Sequence, residues 1–186
     1  MPNLPLKIKS CGKVYYIRFA EEKDANGIKD VMKESFAIYQ DEIKRNSSSN
    51  AIVHALTETI EEIVDDIKNN TVIIALNGKK HIIGTIRVKE KSRDLAYIYR
   101  FGVLPEINNT GIGSAILGCV CEICLDKGFK AIALHTNSRF YTLARYYYGK
   151  RFFVHSTSQD KGYIRALFIK ELTDSRDYDI SPAFDE

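Results

Sequence analysis

The sequence predicts a mixed α/β fold in which helices cover the faces of a single sheet. Three observations lead there. Short runs rich in β-branched and aromatic residues alternate with longer runs of helical periodicity. Their order along the chain is β-α-α-β-β-β-α-β-α-β-β. No run repeats, and none falls to low complexity. That order fits neither a doubly wound nucleotide-binding sheet nor a barrel. The 186 residues are enough for one domain with a full core. We take 1–186 as that domain, with a core of about 13–172, a short N-terminal strand extension and a loose acidic tail.

Each element has its own signal. Leu6 to Phe19 reads as two short strands around Cys11-Gly12, the second spanning Val14 to Phe19. Ile28, Val31, Met32 and Phe36 lie at the spacing of an amphipathic helix. Arg45 to Asn50 is a polar loop. Val53, Leu56, Ile60, Ile63, Val64 and Ile67 then share one face of a second helix. Thr71 to Leu76 and His81 to Val88 flank Asn77-Gly78 as a hairpin. Leu95 to Val103 is a strand stopped by Pro105, with Gly102 marking a bulge where pairing ends. A helix from Gly111 to Lys127 ends on Gly128, a residue suited to a left-handed cap. Lys130 to His135 is a short buried strand, and Ser138 to about Lys150 an aromatic-rich helix. Arg151 to Ser156 and Tyr163 to Ile169 close the fold as a hairpin. The tail from Thr173 onward is acidic and expected to be loose.

Composition narrows the function classes. The chain is 45% hydrophobic and 27% charged, ordinary for a globular protein. A net charge of +3 without a long basic run gives no case for nucleic acid. Arg145, Lys150 and Arg151 read as a solvated helix face. No stretch approaches the roughly 18 apolar residues of a membrane span, and the N-terminus lacks the apolar core of a signal peptide. Of the four cysteines, Cys119, Cys121 and Cys124 fall on one helix, and only Cys121 and Cys124 share a face. A zinc site needs about four converging ligands, so no metal is expected and the thiols serve as small apolar fillers. Free thiols of this kind fit a reducing cytoplasm.

The chemistry gathers in Asn108-Asn109-Thr110-Gly111-Ile112-Gly113-Ser114. A dinucleotide fingerprint would need glycine at position 116, which is Ile116, and a triphosphate loop would need a lysine that is absent. What remains is a tight turn into a helix whose first N–H groups are free to bind an anion. Glycine lets that anion approach without a Cβ in the way. A purely structural turn is the competing reading of the glycines alone.

The surrounding residues sharpen this. V-x-P-E-x-N-x-x-G-x-G, from Val103 to Gly113, resembles the acyl-CoA loop of the GNAT N-acetyltransferase superfamily, written there V-x-P-x-x-[QR]-x-x-G-x-[GA]. The likeness extends from roughly Lys13 to Leu172, since the element order matches too. Ala144, Tyr148, Phe152 and Phe153 resemble a second family pattern, A-x-x-x-Y-x-x-x-G-F. This chain departs from the patterns at Asn108, Tyr141 and Phe152, which leaves the register of the second motif open. Tyr146 and Tyr147 are adjacent alternatives, each step turning the side chain by about 100°.

The resemblance implies a splayed central sheet and a co-substrate, acetyl-CoA or another acyl-CoA. Phe101, Gly102 and Val103 would offer backbone groups to the pantetheine arm, with Asn137 beside it unless Asn137 or Ser138 caps the next helix. Asn108, Asn109, Thr110, Gly111, Ile112, Gly113 and Ser114 would cradle the pyrophosphate. Tyr148 would protonate the departing thiolate as general acid. The acceptor is a primary amine of an unidentified small molecule or protein. Its base is open among Glu34, Asp41, Glu42, His135 and water. Two other readings stand beside this one. Arg100, in Tyr99 to Val103, is similar to the R-F-x-V stretch of acyl-homoserine lactone and N-acyl amino acid synthases, which use acyl carrier protein; a salt-bridged strand arginine is the alternative. A non-catalytic acyl-CoA sensor is the other. The Tyr15-Tyr16 edge and the C-terminal hairpin offer surfaces for a homodimer.

Overall fold

A computed structural model describes residues 2–46, 53–159 and 161–184. Its eight strands form one sheet in the order β1-β2-β3-β4-β5-β6-β8-β7: β1 (Leu6–Ser10), β2 (Lys13–Phe19), β3 (Thr71–Asn77), β4 (Ile82–Glu90), β5 (Leu95–Val103), β6 (Ala131–Asn137), β7 (Phe153–Ser158) and β8 (Arg165–Glu171). Every neighbouring pair is antiparallel except β5 and β6. The mixed sheet expected from the sequence is therefore present.

Alternation along the strands divides the core. Ile73 and Ala75 of β3 face α3 (Ile112–Asp126) and α4 (Tyr141–Gly149). Val72, Ile74 and Leu76 face the other way, onto Ile28 and Met32 of α1 (Ala25–Asn46) and Ile63 of α2 (Ile60–Asn69). Farther along that second face, Leu95, Tyr97, Ala131 and Ala133 are covered by the C-terminal segment through Tyr178, Ile180 and the fully buried Ala183. Within the segment expected to be loose, residues 173–177 are exposed, while Tyr178, Ile180 and Ala183 pack onto the sheet. Its apolar residues outweigh its acidic composition.

Helix boundaries depart from the periodicity. α1 runs on through Arg45 and Asn46, and the rest of the predicted polar loop lies outside the described residues. The second helix does not begin near Val53. A short 3-10 turn occupies His54–Leu56, and α2 starts after Thr59, whose hydroxyl accepts from Glu62 N (3.2 Å) while the Glu62 carboxylate accepts from Thr59 N (2.7 Å). That reciprocal cap fixes the start more strongly than the apolar stripe does. α3 ends as expected on Gly128, at φ +88°, with Phe129 N donating to Cys124 O. Cys119 and Cys124 are buried residues of this helix, and burial pushes the Cys124 thiol up to about 12.

Candidate active site

β5 and β6 pair only at Leu95–Ala131, Ala96–Ile132 and Tyr97–Ala133. Beyond those residues the two strands share no further ladder, so their inner edges diverge toward Val103 and Asn137. On its other side β5 stays paired with β4, but with a register shift: Thr85 opposes Gly102 and Arg87 opposes Tyr99. The extra residue lies in β5, where Arg100 adopts φ +50°. The bulge expected at Gly102 therefore centres on Arg100. Gly102 itself is needed for space, because a Cβ there would stand 2.2 Å from the Ser35 hydroxyl of α1. Arg100 is held by Glu58 (Nε to Oε1, 3.1 Å) and by His54 Nδ1 (2.6 Å), as a salt-bridged strand arginine would be.

The glycine loop lies past the end of β5. Pro105–Ile107 form a 3-10 turn, Asn108 and Asn109 are exposed, and Asn109 is left-handed at φ +63°. Thr110 is tied down at both ends: its hydroxyl donates to Ile107 O (2.6 Å), and its carbonyl accepts from Ser10 of β1 (2.5 Å). Gly111, at φ +82°, is the N-cap of α3 and supplies no side chain to the helix's first N–H groups. Those donors at Ile112, Gly113 and Ser114 have no intrahelical acceptor and carry the positive end of the dipole. A side chain on Gly113 would lie in ordinary contact with Val103, Phe101 and the Tyr146 hydroxyl.

α4 presents its tyrosines differently. Tyr148 is 55% exposed and stands edge-on to Phe168 at 5.5 Å. Tyr147 is buried among Phe152, Phe168 and Tyr146. Burial drives its hydroxyl pKa far up, and the hydroxyls of Tyr146 and Tyr39 act in the same sense. Tyr39 of α1 in turn accepts from the Asn137 amide (2.7 Å) at the open end of β6. The Tyr146 hydroxyl reaches toward the start of α3. Burial pushes it up to about 12, with Ser114 pulling the other way.

Asn137 does not cap α4, which begins at Tyr141. Its Oδ1 accepts from Arg139 N (2.9 Å), while Ser138 binds Ile164 O through its amide and hydroxyl. This side-chain turn delays the helix by about one turn. Two buried polar atoms near the gap, Asn137 Nδ2 and Tyr146 Oη, have no hydrogen-bond partner among the described residues. Orphaned buried groups of this kind fit a polar ligand that runs from the helix start into the gap.

On the α1–α2 face the sheet opens into a groove of about 1040 Å³. Tyr97, Tyr99, Glu58, Asp65, Asp66, Lys89 and Arg165 are among the residues that line it. Beneath lies a residue the sequence reading missed, the fully buried Arg87. It grips Glu58 with both nitrogens (2.8 and 2.7 Å) and Asp66 at 2.5 Å, and Tyr99 donates to the second Asp66 oxygen. Burial opposes the Arg87 charge, but the two carboxylates overcome it and raise its pKa. Of the candidate bases, Glu34 and Asp41 are exposed on α1 and Glu42 lies 3.6 Å from Arg45. His135 is on the groove face of β6, its Nδ1 2.8 Å from the Tyr97 hydroxyl.

The profile of the Acetyltransferase (GNAT) family matches residues 36–152, more than half of the chain. The chain belongs to the GNAT acetyltransferase family. Comparison with the curated proteins gives no match. Among solved structures the chain is similar to the PaiA N-acetyltransferase from Thermoplasma acidophilum in complex with coenzyme A, at 18% identity and TM-score 0.72 over 84% of this chain and 98% of that one. It is also similar to yncA from Salmonella typhimurium with acetyl-CoA, at 14% identity and TM-score 0.69 over 89% and 98%. A third is the ribosomal-protein alanine N-acetyltransferase of Escherichia coli, at 10% identity and TM-score 0.67 over 89% and 99%. At these identities the likeness establishes the fold.

The GNAT pattern A-x-x-x-Y-x-x-x-G-F can be set against the observed end of α4. Arg151 adopts φ +64°, Phe152 N donates to Tyr147 O and Arg151 N to Tyr148 O. This is the helix stop in which glycine is favoured at the left-handed position. The residue standing in that position is Arg151, followed by the buried Phe152. Counting back from there, the pattern's tyrosine falls on Tyr147, one residue before the sequence register.

Proposed function

We propose that this GNAT protein transfers an acetyl group from acetyl-CoA to a primary amine. The observation that carries the reading is the β5–β6 divergence with a glycine-capped helix start beside its mouth. In this reading the loop Asn108–Ser114 and the first N–H groups of α3 hold the pyrophosphate. The free edges of Phe101, Gly102 and Val103 receive the pantetheine amides, and Asn137 Nδ2 donates to the same arm. The acceptor enters from the groove on the opposite face. Placing thioester and amine side by side supplies the largest share of the rate; effective molarity offsets roughly 7–11 kcal/mol of barrier. The amine lone pair attacks the carbonyl, the C–N bond forms, the nitrogen gives up one proton, the C–S bond breaks, and the thiolate takes a proton.

For that proton we assign Tyr147 in preference to Tyr148. Tyr147 is turned into the core toward Tyr39 and the open end of β6, and its raised pKa keeps it protonated at neutral pH. Calorimetry with acetyl-CoA, followed by thiol release over a panel of amines, tests the function. Binding without release on any amine would leave an acyl-CoA sensor. Tyr147→Phe should lower kcat by about 10²-fold at unchanged acetyl-CoA affinity. Tyr148→Phe should lose less, and the reverse order would return the acid to Tyr148.

A further inference from the structure

Coenzyme A carries two anionic groups of different kind: the pyrophosphate that joins its arm to the nucleotide, and a 3′-phosphate on the ribose. The helix start described above serves the first through backbone donors. It offers no cation to the second, because neither Asn108–Ser114 nor α3 contains a lysine, an arginine or a histidine. A phosphomonoester carries about −1.5 to −2 charge at neutral pH, and lysine meets such a group as a point charge. We propose that the turn between β1 and β2 forms the 3′-phosphate subsite, with Lys13 as its cation, an inference that rests on the acetyl-CoA reading above.

The turn is joined to the glycine loop itself. The Ser10 hydroxyl donates to Thr110 O, the carbonyl just before Gly111. Lys13 lies directly opposite Ser10 in the β1–β2 ladder, so the two side chains leave the same face of the sheet with Cβ atoms about 5 Å apart. That face carries α3: Tyr15 and Ile17 alternate with Lys13 along β2 and belong to one cluster with Ile112 and Ile116. The long side chain of Lys13 therefore starts beside the loop, on the side of the sheet where the helix presents its free N–H groups.

Its ammonium group is available. Lys13 is exposed and makes no ion pair among the described residues. The neighbouring turn adds to the positive field. Asn77 Oδ1 accepts from the amides of Lys79 and His81 (3.0 Å each), and a Cβ on Gly78 would stand 3.7 Å from Val14 O, which sets Lys79 and Lys80 beside the same end of β2. Against them stands Glu106, exposed in the 3-10 turn before the loop. β1 and β2 both precede the residues 36–152 that match the family profile, so Lys13 stands outside that match. A rival cation is Lys150, just past α4, whose Nζ lies 5.8 Å from the centre of the Tyr146 ring.

Calorimetry on the full chain with acetyl-CoA and with acetyl-3′-dephospho-CoA, at low and at moderate salt, tests the subsite. Wild type should bind acetyl-CoA about 10-fold more tightly than the dephospho form, and salt should narrow the difference. Lys13→Gln should bind the two donors equally, at the affinity wild type shows for the dephospho form. Its Tm should not change, because the side chain is exposed. Lys150→Gln should keep the preference. A wild type without preference, a Lys13→Gln protein that weakens for both donors alike, or a preference that survives Lys13→Gln overturns the subsite. Loss of the preference in Lys150→Gln instead would place the phosphate beside α4. Failure of the acetyltransferase reading looks different: a wild type that prefers the 3′-phosphate donor but releases no thiol with any amine keeps the subsite and loses the activity. A wild type that binds neither donor overturns both.

Discussion

A methyl group at Gly102 would stand 2.2 Å from the Ser35 hydroxyl oxygen and 3.1 Å from Ser35 Cβ. That hydroxyl cannot swing away freely, because it donates to Val31 O at 2.7 Å within α1. Gly102→Ala should therefore cost about 1–3 kcal/mol in denaturant unfolding. Adding Ser35→Ala should recover part of the loss, since it removes the nearer contact and leaves the second. An unchanged unfolding midpoint would show that α1 and β5 can move apart. The sequence marked this glycine correctly as special but for a different reason. Its importance comes from a helix some seventy residues earlier, and the positive φ belongs to Arg100, which Glu58 and His54 hold in place. Neither partner is visible from the local pattern.

The start of α3 is the element on which donor binding turns. Gly111 has open space around it, so a substitution meets no clash, yet its φ of +82° disfavours any side chain. Gly111→Ala is expected to cost about 1–2 kcal/mol of stability by strain and to weaken acetyl-CoA binding. Calorimetry on the folded variant separates the two effects; full affinity would remove the loop conformation from donor recognition. This element was legible because its signals are local: glycine, proline and an apolar stripe. The other helices show where such signals yield. At α2 the Thr59–Glu62 cap overrode a stripe reaching back to Val53, and at α4 the Asn137–Arg139 turn pushed the start on to Tyr141.

At the scale of the whole molecule, Arg87 ties β4 to α2 and to the turn before it. Arg87→Met would leave the Glu58 carboxylate, only 5% exposed, with Arg100 as its remaining arginine. Removing one partner from such a pair costs about 3–5 kcal/mol. We expect the lower end, read as a fall in Tm, and partial recovery in Arg87→Met/Glu58→Gln. A Tm equal to wild type would mean that the network contributes no net stability. The sequence by itself determined the element order, the mixed sheet, the glycine-capped helix and the family likeness, since each is written in spacing a few residues long. Only the tertiary structure decided which tyrosine of α4 turns inward, that Tyr178, Ile180 and Ala183 of the acidic tail pack onto the sheet, and that Tyr97 meets His135 across the divided strands. Those outcomes depend on side chains brought together from distant parts of the chain, and no local periodicity encodes such meetings.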